Sequence, residues 1–489
     1  MSRTKIVATI GPASRTPEMI RLLIDNGVDV FRVNFSHGKL EEHRKVIEDI
    51  RTVCEERLQS VAILGDLSGP KIRCGMVENG PIILQRGHRI ELIMDPTHVG
   101  NEQAIGVAYT RMIDEVEVGH RISMNDGAVV LRVLSKDRAA REGKGSMFCQ
   151  VELSGEINSR KGINCPDSSL SANPVTEYDF QCIEFACKMG LDYLALSFVR
   201  HADDILLAKQ AVKSHKSDIP IIAKVERHEA ITNIESIVRA ADGVMVARGD
   251  LGVEIPLEEV PIAQKRIIKL CNKVGKPVIT ATQMLESMIT THRPTRAEVS
   301  DVANAIYDGT DAVMLSAETA SGKYPVEAVR IMEQIAQAAE HHYRFEHDVE
   351  VRELGVHGNI SDGLSRGACV ISERLGCSAI ISKTRFGSTP RLIARLRPRL
   401  KIVTFTPSRT WARRLNLIWG VEPYHIGTAQ RLAGKGDAAV QAGLQGPLMD
   451  ELMLALHLGV VKPGERVMLV AGLSLDNPET ANMMRVVEI

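Results

Sequence analysis

The chain has 489 residues, with 60 Lys and Arg against 61 Asp and Glu, for a formal net charge of −1. So even a balance gives no electrostatic footprint for nucleic acid or an anionic membrane, and no uninterrupted apolar run reaches membrane-spanning length. A composition of 44% hydrophobic and 25% charged residues excludes wholesale disorder, and the length predicts roughly two to four domains.

From the N-terminus, strand-like and helix-like segments alternate. KIVATIG (5–11) reads as a strand. TPEMIRLLIDNG (16–27) reads as a helix, with Thr16 as N-cap, Pro17 in the first turn and Gly27 as stop. VDVFRVNFS (28–36) is the next strand, 39–58 the next helix and SVAILGDLSG (60–69) a third strand. The chain enters its first strand with no signal-peptide pattern, and its nine cysteines are scattered without zinc-type spacing. Free thiols in a reducing cytoplasm are therefore expected.

From 71 to 171 long helical periodicity is missing. Short alternating runs with turn signals replace it: IILQRGHRIELI, HRISMNDGAVVLRVL and MFCQVELSG, with NDG as a hairpin signal. These predict a separate all-β insert. Alternation then resumes, with strands expected at 192–199, 219–226, 242–250, 276–284 and 310–318, and a last helix over 325–342. Three early and five late strands make eight βα units, the count of a TIM barrel, with the insert in the loop after the third strand. Residues 346–360 read as a polar linker, and GKGDAA (434–439) as a loop because no strand directly precedes it. SAIISKT, KIVTFTP, ERVMLVAG and MMRVVEI predict the strands of a further α/β region. The expected division is barrel (1–70), β lid (71–171), barrel again (172–345) and C-terminal α/β domain (346–489).

Active groups of such barrels sit at the C-terminal strand ends, and the unusual polar residues fall there. Strand two ends in Arg32, Asn34 and Ser36, strand three in Asp66, and strand five in Lys224 and Glu226. Strand six ends in Arg248, Gly249 and Asp250, strand seven carries Thr282, and strand eight carries Ser316 and Glu318. Lys224 and Glu226, two apart on a strand, point to one face. Alone, that pair reads as a buried ion pair, and Asp250 as a helix cap; recurrence at successive strand ends points to a site. Two carboxylates, Glu226 and Asp250, can hold a hard divalent cation such as magnesium. Arg32, Lys224 and the amides at Gly249 and Asp250 supply positive charge for an anionic group. Such a set suits phosphoryl transfer, where positioning and charge stabilisation do most of the catalysis. Neither a Walker loop nor a protein-kinase glycine loop is present.

The motifs RVNFSHG (32–38), GDLSGPKIR (65–73), AKVER (223–227), MVARGDLGVEI (245–255), TATQMLESMI (280–289) and the run 294–325 resemble the pyruvate kinase family. The resemblance covers essentially the whole chain and implies a TIM barrel with an inserted lid and a C-terminal effector domain. It further implies phosphoenolpyruvate, pyruvate and ADP or ATP as ligands, magnesium as cofactor with manganese able to substitute, and a cytoplasmic homotetramer. Residue by residue, it implies that Lys224 stabilises the phosphoryl group in transit and the enolate, that Arg32 reaches the phosphate, and that Glu226 and Asp250 bind magnesium. Gly249, Asp250 and Thr282 would position the substrate carboxylate. Thr282, with Ser316 and an ordered water, would lie on the route that protonates the enolate carbon. Asn34, Ser36, His37, Arg73 and Lys161 match nucleotide-contacting positions; Lys161 lies on the insert, which would close as a lid.

Two departures from the family pattern carry expectations. Many members read DTKGPEIR where this chain has DLSGPKIR, so Leu67, Ser68 and Lys71 differ. The resemblance implies a potassium site at Asn34, Ser36, Asp66 and Leu67, the last through its carbonyl. Lys71 in place of the family glutamate implies a fixed cation instead of a mobile one, and hence potassium independence. In SKTRFGSTPRLIARLRP (382–398), a strand end, a hydroxyl-rich loop and a helix resemble the family's effector loop, with Thr384, Ser388 and Thr389 as phosphate contacts. The later loop 472–484 lacks the arginine and glycines needed to grip a second phosphate, so AMP or a sugar monophosphate is expected over fructose bisphosphate. Two rival readings stand beside this one: a lyase or aldolase with Lys224 as Schiff base, and a non-catalytic phosphometabolite sensor.

Overall fold

The computed structural model describes residues 2–342, 360–433, 448–472 and 481–489. Eight strands, Lys5–Thr9, Val30–Asn34, Ala62–Asp66, Tyr193–Leu196, Ile221–Val225, Gly243–Ala247, Val278–Ala281 and Ala312–Leu315, close into an all-parallel barrel. Each pairs with its chain neighbours, and the ring shuts where Lys5–Ala8 meets Ala312–Leu315. The strands are continuous apolar runs because both faces are covered, the rule for parallel sheets. Inward side chains, among them Val7, Leu64, Tyr193, Ile222, Met245 and Ile279, fill the lumen. Outward ones such as Ile6, Ile63, Ile221 and Val244 pack on the helices. The expected strands lie where predicted but run long, the first at its end only and the others at both ends, because the barrel strands have only four or five residues. Thr16 caps the first helix, Pro17–Asp25, by accepting a hydrogen bond from the Met19 amide at 3.3 Å.

After the third strand the chain builds a separate body with its own core, including Ile90, Leu92, Leu131 and Cys149. It holds a six-stranded and a two-stranded sheet, and two helices of one turn that the all-β reading left out, Met112–Glu115 and Ala140–Gly143. The C-terminal region is a five-stranded sheet around Ala379–Lys383. One of its strands, Val421–His425, escaped the sequence reading because its interior Pro423 argues against a strand. The sheet resolves this by placing it at an edge. Arginines fasten this domain to the barrel: Arg397 to Asp311 at 2.9 Å, and Arg413 to Asp192 and Arg414 to Asp218 at 2.8 Å each. The expected linker lies outside the described residues except Ile360, which opens the helix Ile360–Arg374; GKGDAA lies wholly outside them. Among the described residues no helix is long and apolar enough to cross a membrane.

Candidate active site

Lys224 lies on the fifth barrel strand and Glu226 just beyond it. The Lys224 ammonium is 2.9 Å from Glu226 Oε1 and 3.2 Å from Asp66 Oδ1, and donates to Ser197 Oγ at 2.6 Å. Ser197 Oγ in turn donates to the Leu67 carbonyl at 2.7 Å. Burial lowers the Lys224 pKa, but the Asp66 and Glu226 charges outweigh it and push it above the ordinary lysine value. The group is a fixed ammonium, which disfavours the Schiff-base reading because that chemistry needs a neutral amine.

Arg32 reaches the same hub from the second strand, its guanidinium 2.6 Å from Asp66 Oδ2 and donating to Thr9 Oγ1 at 3.1 Å. Burial pushes the Asp66 carboxyl up, but the Lys224 and Arg32 charges outweigh it and hold it below the usual range. Asp66 therefore orients both cations. Thr9 and Ser197 are participants the sequence reading missed. Thr9 ends the first strand and Ser197 follows the fourth, the two strands from which no polar residue was taken. The signal was the one used elsewhere, a polar residue where an apolar run ends.

Gly249 and Asp250 correct the sixth-strand assignment. That strand stops at Ala247, and both residues lie on a short helix, Arg248–Glu254. The Gly249 amide donates to Thr282 Oγ1 at 2.8 Å. Thr282 and Gln283 adopt left-handed φ values of 67° and 56°, a strained conformation for a β-branched residue. Arg248 braces it, donating to the Thr282 carbonyl at 2.8 Å and pairing with Asp301 at 2.7 Å. Ser316, after the eighth strand, keeps a buried Oγ without a hydrogen-bond partner among the described residues, while its amide donates to Glu318 at 2.6 Å.

Glu226 Oε2 accepts from the Phe198 amide at 2.8 Å. Burial pushes the Glu226 carboxyl up, and the charge of Asp250 adds to it even though Lys224 opposes it. Two hard oxygen donors that repel one another are a set a small divalent cation would relieve, so the residues fit magnesium.

Lys71 lies 3.2 Å from Asp250 and 3.7 Å from Asp126 of the insert. The residues expected to hold potassium fall at the ends of the second and third strands: Asn34 pairs in register with Asp66, Asn34 Oδ1 accepts from the Ser36 amide at 3.1 Å, and the Leu67 carbonyl is taken by Ser197. Arg73 donates to the Arg160 carbonyl at 3.1 Å and Lys161 accepts from the Cys74 amide at 2.9 Å, so these two expected nucleotide contacts meet at the root of the insert. His37 lies in the turn after the second strand, its carbonyl 2.8 Å from His43 Nε2. In the C-terminal domain, Thr384 Oγ1 accepts from the Gly387 amide at 2.9 Å, and Ser388 and Thr389 open the helix Ser388–Ala394. Much of the later effector loop, 473–480, lies outside the described residues. A cleft of about 610 Å³ opens elsewhere, lined by Lys5, Asp29, Asn416 and Tyr424. It contains none of the strand-end charges, so volume does not mark the chemistry here.

The family model for the pyruvate kinase barrel domain matches residues 1–329, and that for the pyruvate kinase alpha/beta domain matches 362–487. The chain is 42% identical over 488 residues to a pyruvate kinase of Geobacillus stearothermophilus, and 41% identical over 487 to one of Sporosarcina psychrophila. In both cases 99% of this chain aligns with 80% of the relative. A solved pyruvate kinase from Cryptosporidium parvum superposes with a TM-score of 0.88 at 35% identity, covering 100% of this chain and 96% of that one. Barrel and C-terminal sheet are thus matched separately and the relatives align through both, so the chain belongs to the pyruvate kinase family.

Proposed function

We propose that this chain transfers the phosphoryl group of phosphoenolpyruvate to ADP, giving pyruvate and ATP. The observation that carries the reading is the Lys224 ammonium, held charged between Asp66 and Glu226 at the barrel rim, with Asp250 acting on the same glutamate. A buried ammonium suits a phosphoryl group in transit and then the enolate left behind. Arg32 is oriented by Asp66 toward the phosphate. Gly249, Asp250 and Thr282 hold the substrate carboxylate. The unpaired hydroxyl of Ser316 supports a place for it, with Thr282 and an ordered water, on the route that delivers a proton to the enolate carbon. Tautomerisation of the released enol to the ketone drives the transfer, so the enolate needs only transient stabilisation.

Glu226 and Asp250 would hold magnesium, or manganese in its place, which when bound supplies charge neutralisation at the substrate oxygens. Asn34, Ser36, His37, Arg73 and Lys161 contact the nucleotide, with the insert 71–171 closing over it to exclude water. A potassium ligand set of Asn34, Ser36, Asp66 and Leu67 is partly retained, and Lys71 makes potassium dispensable. Thr384, Ser388 and Thr389 take a monophosphate activator. A cytoplasmic homotetramer is the assembly expected of such an enzyme.

The test is a coupled assay of pyruvate release from phosphoenolpyruvate and ADP. Release is expected with magnesium and is expected to vanish on chelation. No pyruvate under either condition, or release indifferent to chelator, would overturn the assignment.

A further inference from the structure

Asp126 has no role in the reading above, yet it lies where the insert meets the barrel. It occupies the turn between the insert strands Arg121–Met124 and Val129–Asp137. Asn125, Asp126 and Gly127 all adopt left-handed φ values of 53°, 53° and 88°. Asn, Asp and Gly are the residues that suit consecutive positive φ in a tight hairpin turn. This one is fixed by the Asn125 amide donating to the Gly162 carbonyl at 3.0 Å and by Asn125 Nδ2 donating to the Glu156 carbonyl at 3.0 Å. The turn lies close to the barrel: a Cβ added at Gly127 would come within 3.7 Å of Val253, on the helix that carries Asp250. Lys71, in the segment joining barrel to insert, threads between the two bodies. A Cβ at Gly162 would approach its Cε to 2.8 Å, so the lysine stem runs close along the Gly162 backbone. The ammonium ends 3.2 Å from Asp250 and 3.7 Å from Asp126.

We infer that Lys71 is a latch, its ammonium shared between Asp250 on the barrel and Asp126 on the insert turn that faces it, so that divalent-cation loading of the barrel acids drives lid closure. The inference rests on Glu226 and Asp250 being the divalent site. A cation on Asp250 consumes the carboxylate that Lys71 now contacts and repels the ammonium, leaving Asp126 as its anionic partner. Asp126 is 70% exposed, and an ion pair so wetted contributes little. Closure removes water from the pair and strengthens it, so the pull grows as the lid shuts. Lys71 is thus a positioning residue acting through the lid.

The test follows lid position in the full chain by energy transfer between dyes at Leu153→Cys on the insert and Leu206→Cys on the barrel, both exposed positions. Magnesium is titrated without nucleotide or phosphoenolpyruvate, and its affinity is measured separately by calorimetry. The native chain is expected to close with the calorimetric midpoint. Asp126→Asn is expected to bind magnesium no more tightly than the native chain, because the closure it loses no longer assists binding, and to lose at least half of the closing amplitude. Lys71→Met is expected to bind magnesium about 2- to 5-fold more tightly, because a half-buried competitor for Asp250 is gone, yet to close no further than Asp126→Asn. Native-like closure in Asp126→Asn, or weaker binding in Lys71→Met, overturns the latch alone. No magnesium binding to the native chain overturns the latch together with the metal reading.

Discussion

Replacing Lys224 with methionine keeps the side-chain volume and removes the charge. The ammonium lies 2.9 and 3.2 Å from its two acids, so a phosphoryl or enolate oxygen it serves sits at a similar distance. At an effective dielectric near 20, a unit charge about 3 Å away interacts by about 5 kcal/mol, and a half-developed charge by about half that. With about 1.4 kcal/mol per decade of rate, kcat should fall between about 10²- and 10⁴-fold. The substitution also strands buried acids, at about 3 to 5 kcal/mol for a broken buried pair. Asp66 keeps Arg32 at 2.6 Å, and Glu226 keeps the Phe198 amide at 2.8 Å, so the barrel should survive with a lowered melting temperature. The assay is pyruvate release at saturating phosphoenolpyruvate and ADP, with circular dichroism to confirm folding. A folded Lys224→Met protein with kcat within tenfold of the native value would refute the assignment of this ammonium to the chemistry.

Ser197→Ala removes the 2.6 Å partner of the ammonium and should lower kcat about tenfold, as loss of a hydrogen bond to a charged group does; an unchanged kcat would restrict Ser197 to packing. Lys71→Glu places a third carboxylate beside Asp250 and Asp126. Activity should then depend on potassium at constant ionic strength, whereas the native chain should be indifferent when potassium is exchanged for an inert organic cation. In the insert, the Arg121 hydrogen bond holds the Asp167 carboxyl at about 2. A depressed carboxylate contributes stability that is complete above its unfolded value near 4 and is lost as pH falls through the folded one. The melting difference between native and Asp167→Asn proteins should therefore persist at pH 6 and shrink from pH 4 toward pH 2; a difference independent of pH would show that the ion pair contributes nothing.

Barrel topology was legible because it is written in repetition: eight apolar runs, each too short to be a helix, separated by helical periods. Strand ends were less so. Lys224 reads as part of a strand and is one, but Asp250 sits on a helix although MVARGD scans as a strand with a polar end. Strand pairing ends where Ala247 meets Ala281, and the Gly249 amide donates to the Thr282 side chain instead. Of the cation–acid pairings only Lys224 with Glu226, two residues apart in the chain, was legible. Asp66 read as a monovalent-cation ligand, yet it is the hub for Arg32 and Lys224, a pairing across 158 residues of chain that no local pattern encodes. The alternative of a plain buried ion pair at Lys224 and Glu226 was half right, since the pair exists at 2.9 Å.

The pairing also explains how a barrel rim tolerates so much buried charge. Arg32, Lys224 and Lys71 face Asp66, Glu226 and Asp250: one contact chain runs Arg32–Asp66–Lys224–Glu226, a second joins Lys71 to Asp250, and the charge of Asp250 on Glu226 couples the two. Taken singly, each would carry a desolvation cost that no single contact offsets. Taken together they are neutral, and every cation has an acid within 3.2 Å. That balance holds for the metal-free protein. A divalent cation at Glu226 and Asp250 would leave a surplus of two positive charges at a desolvated rim, which is the field an anionic phosphate ester needs in order to leave water. Lys71 is the one member of the set that also reaches the insert, so the charge most easily spared from the balance is the charge that can move with the lid.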